Sequence, residues 1–164
     1  MNDIHLHLAL NHFPLIGLLI GILVLLVGFL IRKEQIKATA LGIFIFSALM
    51  AIAANYTGEG AEHAIENLPG ISEHYIETHE DAAEVFLIMM LVLGGVSLIN
   101  LFLAIKKMKL AVYGYILVIL LALSSAFAAT NVGISGGEIR HTEIRADGTA
   151  NSPVPDKKVK TEDE

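Results

Sequence analysis

Four long apolar runs, roughly 13–31, 38–55, 82–105 and 110–131, alternate with polar stretches of unequal length. About 20 mostly apolar residues carry a helix across a bilayer, so each run is long enough to span one. The run 15–31 has no polar face, which a helix in a soluble bundle would need. The pattern predicts an all-α fold, a membrane four-helix bundle made of two helical hairpins and occupying residues 1–145. Arg32-Lys33-Glu34-Gln35 and Lys106-Lys107-Met108-Lys109 read as the tight turns that close the two hairpins. Asp3 is placed to start a short interfacial helix through Asn11, and Pro14 sits where the next helix can begin.

The polar segment 56–81 joins the hairpins. Its first half, 57–68, predicts a short helix lying at the membrane surface, with Glu59, Glu62, His63 and Glu66 on one face and Pro69-Gly70 as its stop. Ser72 is a cap residue for a helix that runs unbroken into the third span. Along that helix Glu73, Glu77, Glu80 and Glu84 form one stripe, while His79 lies with Tyr75, Ile76, Ala83 and Phe86 on another. Gly17 and Gly21 have the small-residue spacing that lets membrane helices approach closely. From Ala146 the composition turns polar and Pro-containing, which predicts a disordered tail over 146–164.

Charge adds an orientation. The two short turns hold Arg32, Lys33, Lys37, Lys106, Lys107 and Lys109, whereas 56–81 has no Lys or Arg. By the positive-inside rule the turns are cytoplasmic, and both termini and the middle segment face the periplasm of a bacterial inner membrane. The N-terminal stretch lacks a basic region and a small-residue cleavage site, so the first span is expected to be retained. A hydrophobic share of 54% and a mean hydropathy of +0.64 fit a chain whose first partner is the lipid bilayer. The net charge of −6, with no basic face, excludes a nucleic-acid binder. With Cys 0, thiolate sites and disulfides are excluded as well.

All His 7 in the chain fall on the side assigned to the periplasm. His5, His7, His63 and His74 read most simply as solvated loop histidines. His12, His79 and His141 stand at span edges, where an ionisable side chain usually turns into the bundle. If the N-terminal helix is continuous, His5 and His12 share a face and His7 lies on the other side. Two imidazoles on facing helices suit a b-type haem, with His12 and His79 as ligands, His141 in reserve, and Arg140 and Arg145 for the propionates. Alternatively His12, Glu59, His79, Glu80, His141 and Glu143 suit a non-haem transition metal such as iron, zinc, manganese or copper. The first expectation is electron transfer between quinone and a periplasmic redox protein. The bland alternative is a non-catalytic membrane subunit, alone or in a homo-oligomer or larger complex, whose polar face docks a partner. No residue is assigned a catalytic role.

A short gapped repeat is also visible. Ala53-Ala54-Asn55, Gly58-Glu59 and His63 echo Ala128-Ala129, Asn131, Gly137-Glu138 and His141, with His12 and His79 each at the entrance of a hairpin. Finally, Asn11-His12-Phe13-Pro14, Gly58-Glu59, His79-Glu80 and Gly136-Gly137-Glu138-Ile139-Arg140-His141 together resemble a bacterial family of four-span integral membrane proteins with no assigned activity. The resemblance runs from about His5 to Arg145. It implies the same topology and a site at His12, Glu59, His79, Glu80, Arg140, His141, Glu143 and Arg145, and it leaves His63 and His74 outside the pattern.

Overall fold

The computed structural model describes residues 3–65 and 71–145, which are helical nearly throughout, with no strand among them. Helix α1 spans Asp3–Leu10 and α2 spans His12–Leu30; α3 spans Glu34–Ile65, α4 spans Glu73–Ile105 and α5 spans Ala111–Arg140. A single 3₁₀ turn, Thr142–Ile144, follows. Four helices are long and apolar enough to cross a membrane, the first of them running through α1 and α2 as Ile4–Leu30. Glu66, the Pro69-Gly70 stop and the 146–164 tail lie outside the described residues.

Helix α2 packs along α3, α3 along α4 and α4 along α5, with a lighter contact closing α5 onto α2. Leu18, Leu25, Leu41, Phe44, Met90, Leu93 and Val118 form the buried centre. Outward-facing Leu23, Leu30, Ile99, Leu120 and Phe127 are exposed, an apolar exterior that hydrocarbon accepts and water does not.

The two turns share one geometry. Arg32 and Lys107 adopt φ of 54° and 53°. Lys33 N donates to Gly28 O and Met108 N to Leu103 O, each at 3.0 Å, the wide bond that satisfies carbonyls left open at a helix end. A left-handed residue is usually Gly or Asn. Here it is cationic, and a cation beside a helix C-terminus gains from the helix dipole.

Two helices run further than the apolar pattern suggests. Helix α3 continues through Thr57, Gly58 and Gly60 to Ile65, so no separate surface helix begins at Thr57. Helix α5 passes Asn131, Gly133, Gly136 and Gly137 before stopping at Arg140. Each interior glycine costs about 1 kcal/mol of helix propensity. Packing outweighs that cost, because α1 lies along the upper part of α3 and the start of α4 lies along the end of α5. At about 1.5 Å per residue, α3 and α4 are roughly 50 Å long, more than a hydrocarbon core of about 30 Å.

Candidate cofactor site

The N-terminal helix decides which histidine faces inward. Asn11 has helical backbone angles (φ −60°, ψ −24°) and its N–H donates to the His7 carbonyl at 2.9 Å, so α1 leads into α2 with little change of direction. On that nearly continuous helix His5 and His12 are exposed and His7 is half-buried. The wheel separated His7 from the other two as the sequence suggests, but the bundle lies on the His7 side.

His7 is held by α3. Its Nδ1 lies 3.0 Å from the Ala54 carbonyl and 3.4 Å from Thr57 Oγ1. A carbonyl only accepts, so His7 Nδ1 carries the proton and Nε2 keeps a free electron pair. Thr57 Oγ1 is anchored in its own helix, donating toward the Ala53 and Ala54 carbonyls, both at 3.0 Å. The next residue is Gly58, where a Cβ would stand 3.4 Å from His7 Cε1, an ordinary contact.

His79 is held by α5 in the same manner. Its Nδ1 lies 3.1 Å from Ser135 Oγ. That hydroxyl donates to the Asn131 carbonyl at 2.8 Å, with Val132 O at 3.3 Å, so toward the imidazole it accepts. His79 Nδ1 is therefore also the protonated nitrogen, and its Nε2 is free. Ser135 is 5% exposed, and a Cβ on the next residue, Gly136, would stand 3.1 Å from His79 Cε1. His7 and His79 come close enough for a charge on one to act on the other. An open groove of about 240 Å³ between α4 and α5, lined by Thr78, Ala82, Asn131, Ile134, Ser135 and Glu138, shares Ser135 with the His79 contact, and neither histidine lines it.

The remaining sequence candidates go elsewhere. His12 and Glu59 point outward. Glu80 is exposed, and the neighbouring Glu62 carboxyl on α3 pushes its pKa up to about 7. His141 Nδ1 pairs with Glu143 Oε1 at 2.8 Å on the surface, the two side chains 64% and 68% exposed. The backbone N–H of Glu143 and the His141 ring beside it hold the Glu143 carboxyl below the usual carboxylate range. Arg140 is exposed. Arg145 folds back on the bundle, donating from Nε to Glu138 O at 2.8 Å and from Nη2 to Ile139 O at 3.1 Å. Its guanidinium lies 4.1 Å above the Tyr75 ring. It thus closes the end of α5 and ties it to α4 by a cation–π contact.

Among the described residues no group of three or more His, Asp or Glu side chains is gathered as a metal site. His7 is the residue that sequence reasoning passed over. The signal that marks it is Thr57-Gly58, a hydroxyl followed by a glycine, repeated as Ser135-Gly136 beside His79. Comparison with protein-family models, curated proteins and solved structures finds no match.

Proposed function

We propose that this is a bacterial inner-membrane protein whose histidine end faces the periplasm and serves electron transfer through a b-type haem, which His7 and His79 would hold. One observation carries the reading: two half-buried imidazoles from different helices each commit Nδ1–H to a polar acceptor and keep Nε2 free. A metal-bound histidine typically has this arrangement, its second nitrogen donating to a carbonyl or another acceptor that fixes the tautomer. The donor set fits haem better than a bare ion. A porphyrin brings four in-plane nitrogens and asks the protein for two imidazoles, whereas a non-haem iron or zinc site needs three or four protein ligands. No such group is gathered among the described residues.

When bound, haem supplies a one-electron couple. The chain's own contribution is to present two imidazoles and orient them through Ala54, Thr57 and Ser135. Gly136 lets the His79 ring lie close against helix backbone. Quinone on the membrane side and a periplasmic redox protein on the other are the partners this placement serves. The Lys-rich turns on the opposite end supply the orientation, with both termini periplasmic.

Optical spectra of detergent-purified protein, oxidised and dithionite-reduced, test the reading when paired with elemental analysis. A Soret band with sharp reduced α and β bands and stoichiometric iron is the expected result. Iron, zinc, manganese or copper without a Soret band would move the assignment to a non-haem centre. A protein that stays colourless and metal-free after reconstitution with haem would leave the docking-subunit reading.

A further inference from the structure

The surroundings of His7 and His79 are built from matching parts. Thr57 and Ser135 each place a hydroxyl on an Nδ1, and each donates to carbonyls three and four residues earlier on its own helix. The carbonyl three residues before each hydroxyl, Ala54 O or Val132 O, accepts from that hydroxyl, and Ala54 O also accepts from the His7 ring. The following residue is a glycine against the ring Cε1 in both. One constant shift along the chain carries Ala54, Thr57 and Gly58 onto Val132, Ser135 and Gly136.

The match extends down the helices. A second constant shift that carries His7 onto His79 also carries the buried residues of α2 (Pro14, Leu18, Gly21, Leu25, Gly28) onto buried residues of α4 (Phe86, Met90, Leu93, Ser97, Asn100). The shift that relates Thr57 to Ser135 likewise carries buried Ala40, Phe44 and Ser47 onto buried Val118, Ala122 and Ser125. Each unit also turns on a left-handed cationic residue, Arg32 or Lys107, although neither shift superposes the two. This register differs from the one that identity alone proposes, in which His12 matched His79 and Gly58-Glu59 matched Gly137-Glu138. Contacts align the units differently because packing preserves which positions face inward, not which letters occupy them.

We infer that the chain is two copies of one helical hairpin unit, each delivering one imidazole locked in its Nδ1–H form, and that Thr57 and Ser135 are the matched positioning residues of the resulting two-imidazole site. The site would then suit a metal centre that asks the protein for two imidazoles, a metalloporphyrin above all. That last step rests on the function proposed above; the matched tautomers do not.

The test separates the two. The full-length protein is labelled with ¹⁵N-histidine, and ring-nitrogen spectra are recorded in detergent or nanodiscs without added cofactor, above neutral pH. Signals are assigned by their loss in His7→Gln and His79→Gln. His7 and His79 should show a protonated Nδ1 and a bare Nε2, unlike exposed His12 and His141. In Ser135→Ala the His79 signal should shift toward the tautomer mixture of the exposed histidines, and Ser135→Thr should restore it. Thr57→Val should move only the His7 signal, and Thr57→Ser should leave it in place. A fold defect would shift both histidines and the backbone spectrum together, so a shift confined to one ring reports positioning. If His7 and His79 carry the Nε2 proton, or if Ser135→Ala leaves His79 unmoved, the inference is overturned. With the tautomers confirmed, haem added to the same sample asks the separate question. Binding weakened about 10–100-fold by Ser135→Ala is the effect expected of a lost partner behind a ligand, and no binding by wild type sinks the haem assignment while the paired cradles stand.

Discussion

The two hairpin units agree at one end and differ at the other. At the histidine end they share an imidazole, a hydroxyl, two carbonyls and a glycine. Further down the same inward positions hold different residues. Gly21 on α2 faces Phe44 on α3, so close that a Cβ on the glycine would stand 2.5 Å from Phe44 Cε1. The corresponding positions in the second unit are Leu93 and Ala122, both fully buried. The large and small partners have changed helices. Likewise Gly28 lies against Lys37 in the first unit, whereas in the second Asn100 lies against Gly114, donating to Ala111 O and accepting from Tyr115 N, each at 3.1 Å. A core tolerates many fillings provided total volume is kept. Orienting an imidazole tolerates few. The end where identity is retained is therefore the end where chemistry is expected.

The largest effect should come from breaking that volume exchange. Gly21→Leu adds bulk against Phe44 and should destabilise by roughly 1–3 kcal/mol or more. Phe44→Ala removes the ring and should cost about 3–5 kcal/mol. The double variant rebuilds the Leu93/Ala122 arrangement inside the first unit, so thermal melts in detergent should show it more stable than the sum of the two single losses. Additive losses would mean that the two units do not pack by the same rule.

Glycines behind the imidazoles sharpen the comparison at the other end. A methyl at Gly136 meets His79 at 3.1 Å, tighter than ordinary contact, whereas at Gly58 it meets His7 at 3.4 Å. Gly136→Ala should therefore displace its ring and perturb the reduced haem spectrum, and Gly58→Ala should do so less. Wild-type spectra in both variants would show that neither glycine sets ring position.

Arg145→Ala should come next, at about 1–2 kcal/mol, through loss of two carbonyl contacts and the stacking on Tyr75. Arg145→Lys should recover little of the melting temperature, because a point charge replaces a planar fork. The haem band should keep its position in both, since the guanidinium is spent on the fold.

The exposed His141–Glu143 pair should matter least. Its Glu143 carboxyl is held below the usual range, so whatever stability it contributes is present above the unfolded-state value and is lost as pH falls through the folded one. Any gap between wild type and Glu143→Gln melts should therefore appear at neutral pH and close in acid.

Much of the architecture could be read from the chain because apolar length reports bilayer crossing directly. The four runs, the basic turns and the unbroken entry of α4 all follow from local pattern. The extensions of α3 past Gly58 and of α5 past Gly133 did not, since each depends on a helix that sequence places far away. The site was half legible. His79 was marked by its place on the Tyr75, Ile76, Phe86 stripe. His7 was hidden because α1 has little polar asymmetry, and choosing between its faces needs the bundle. The sequence offers Arg145 as a counter-charge for propionates, and its contacts with Glu138, Ile139 and Tyr75 depend on a fold-back that local pattern does not signal.

The most direct test of the account sets His7→Ala beside His12→Ala, each purified with haem and recorded as a reduced-minus-oxidised spectrum. His12 is the histidine favoured by span-edge position, and His7 is the one the bundle turns inward. Loss or strong perturbation of the α and Soret bands in His7→Ala, with wild-type bands in His12→Ala, is the predicted result. Bands that survive in His7→Ala and disappear in His12→Ala would contradict the account and return the ligand to the exposed face.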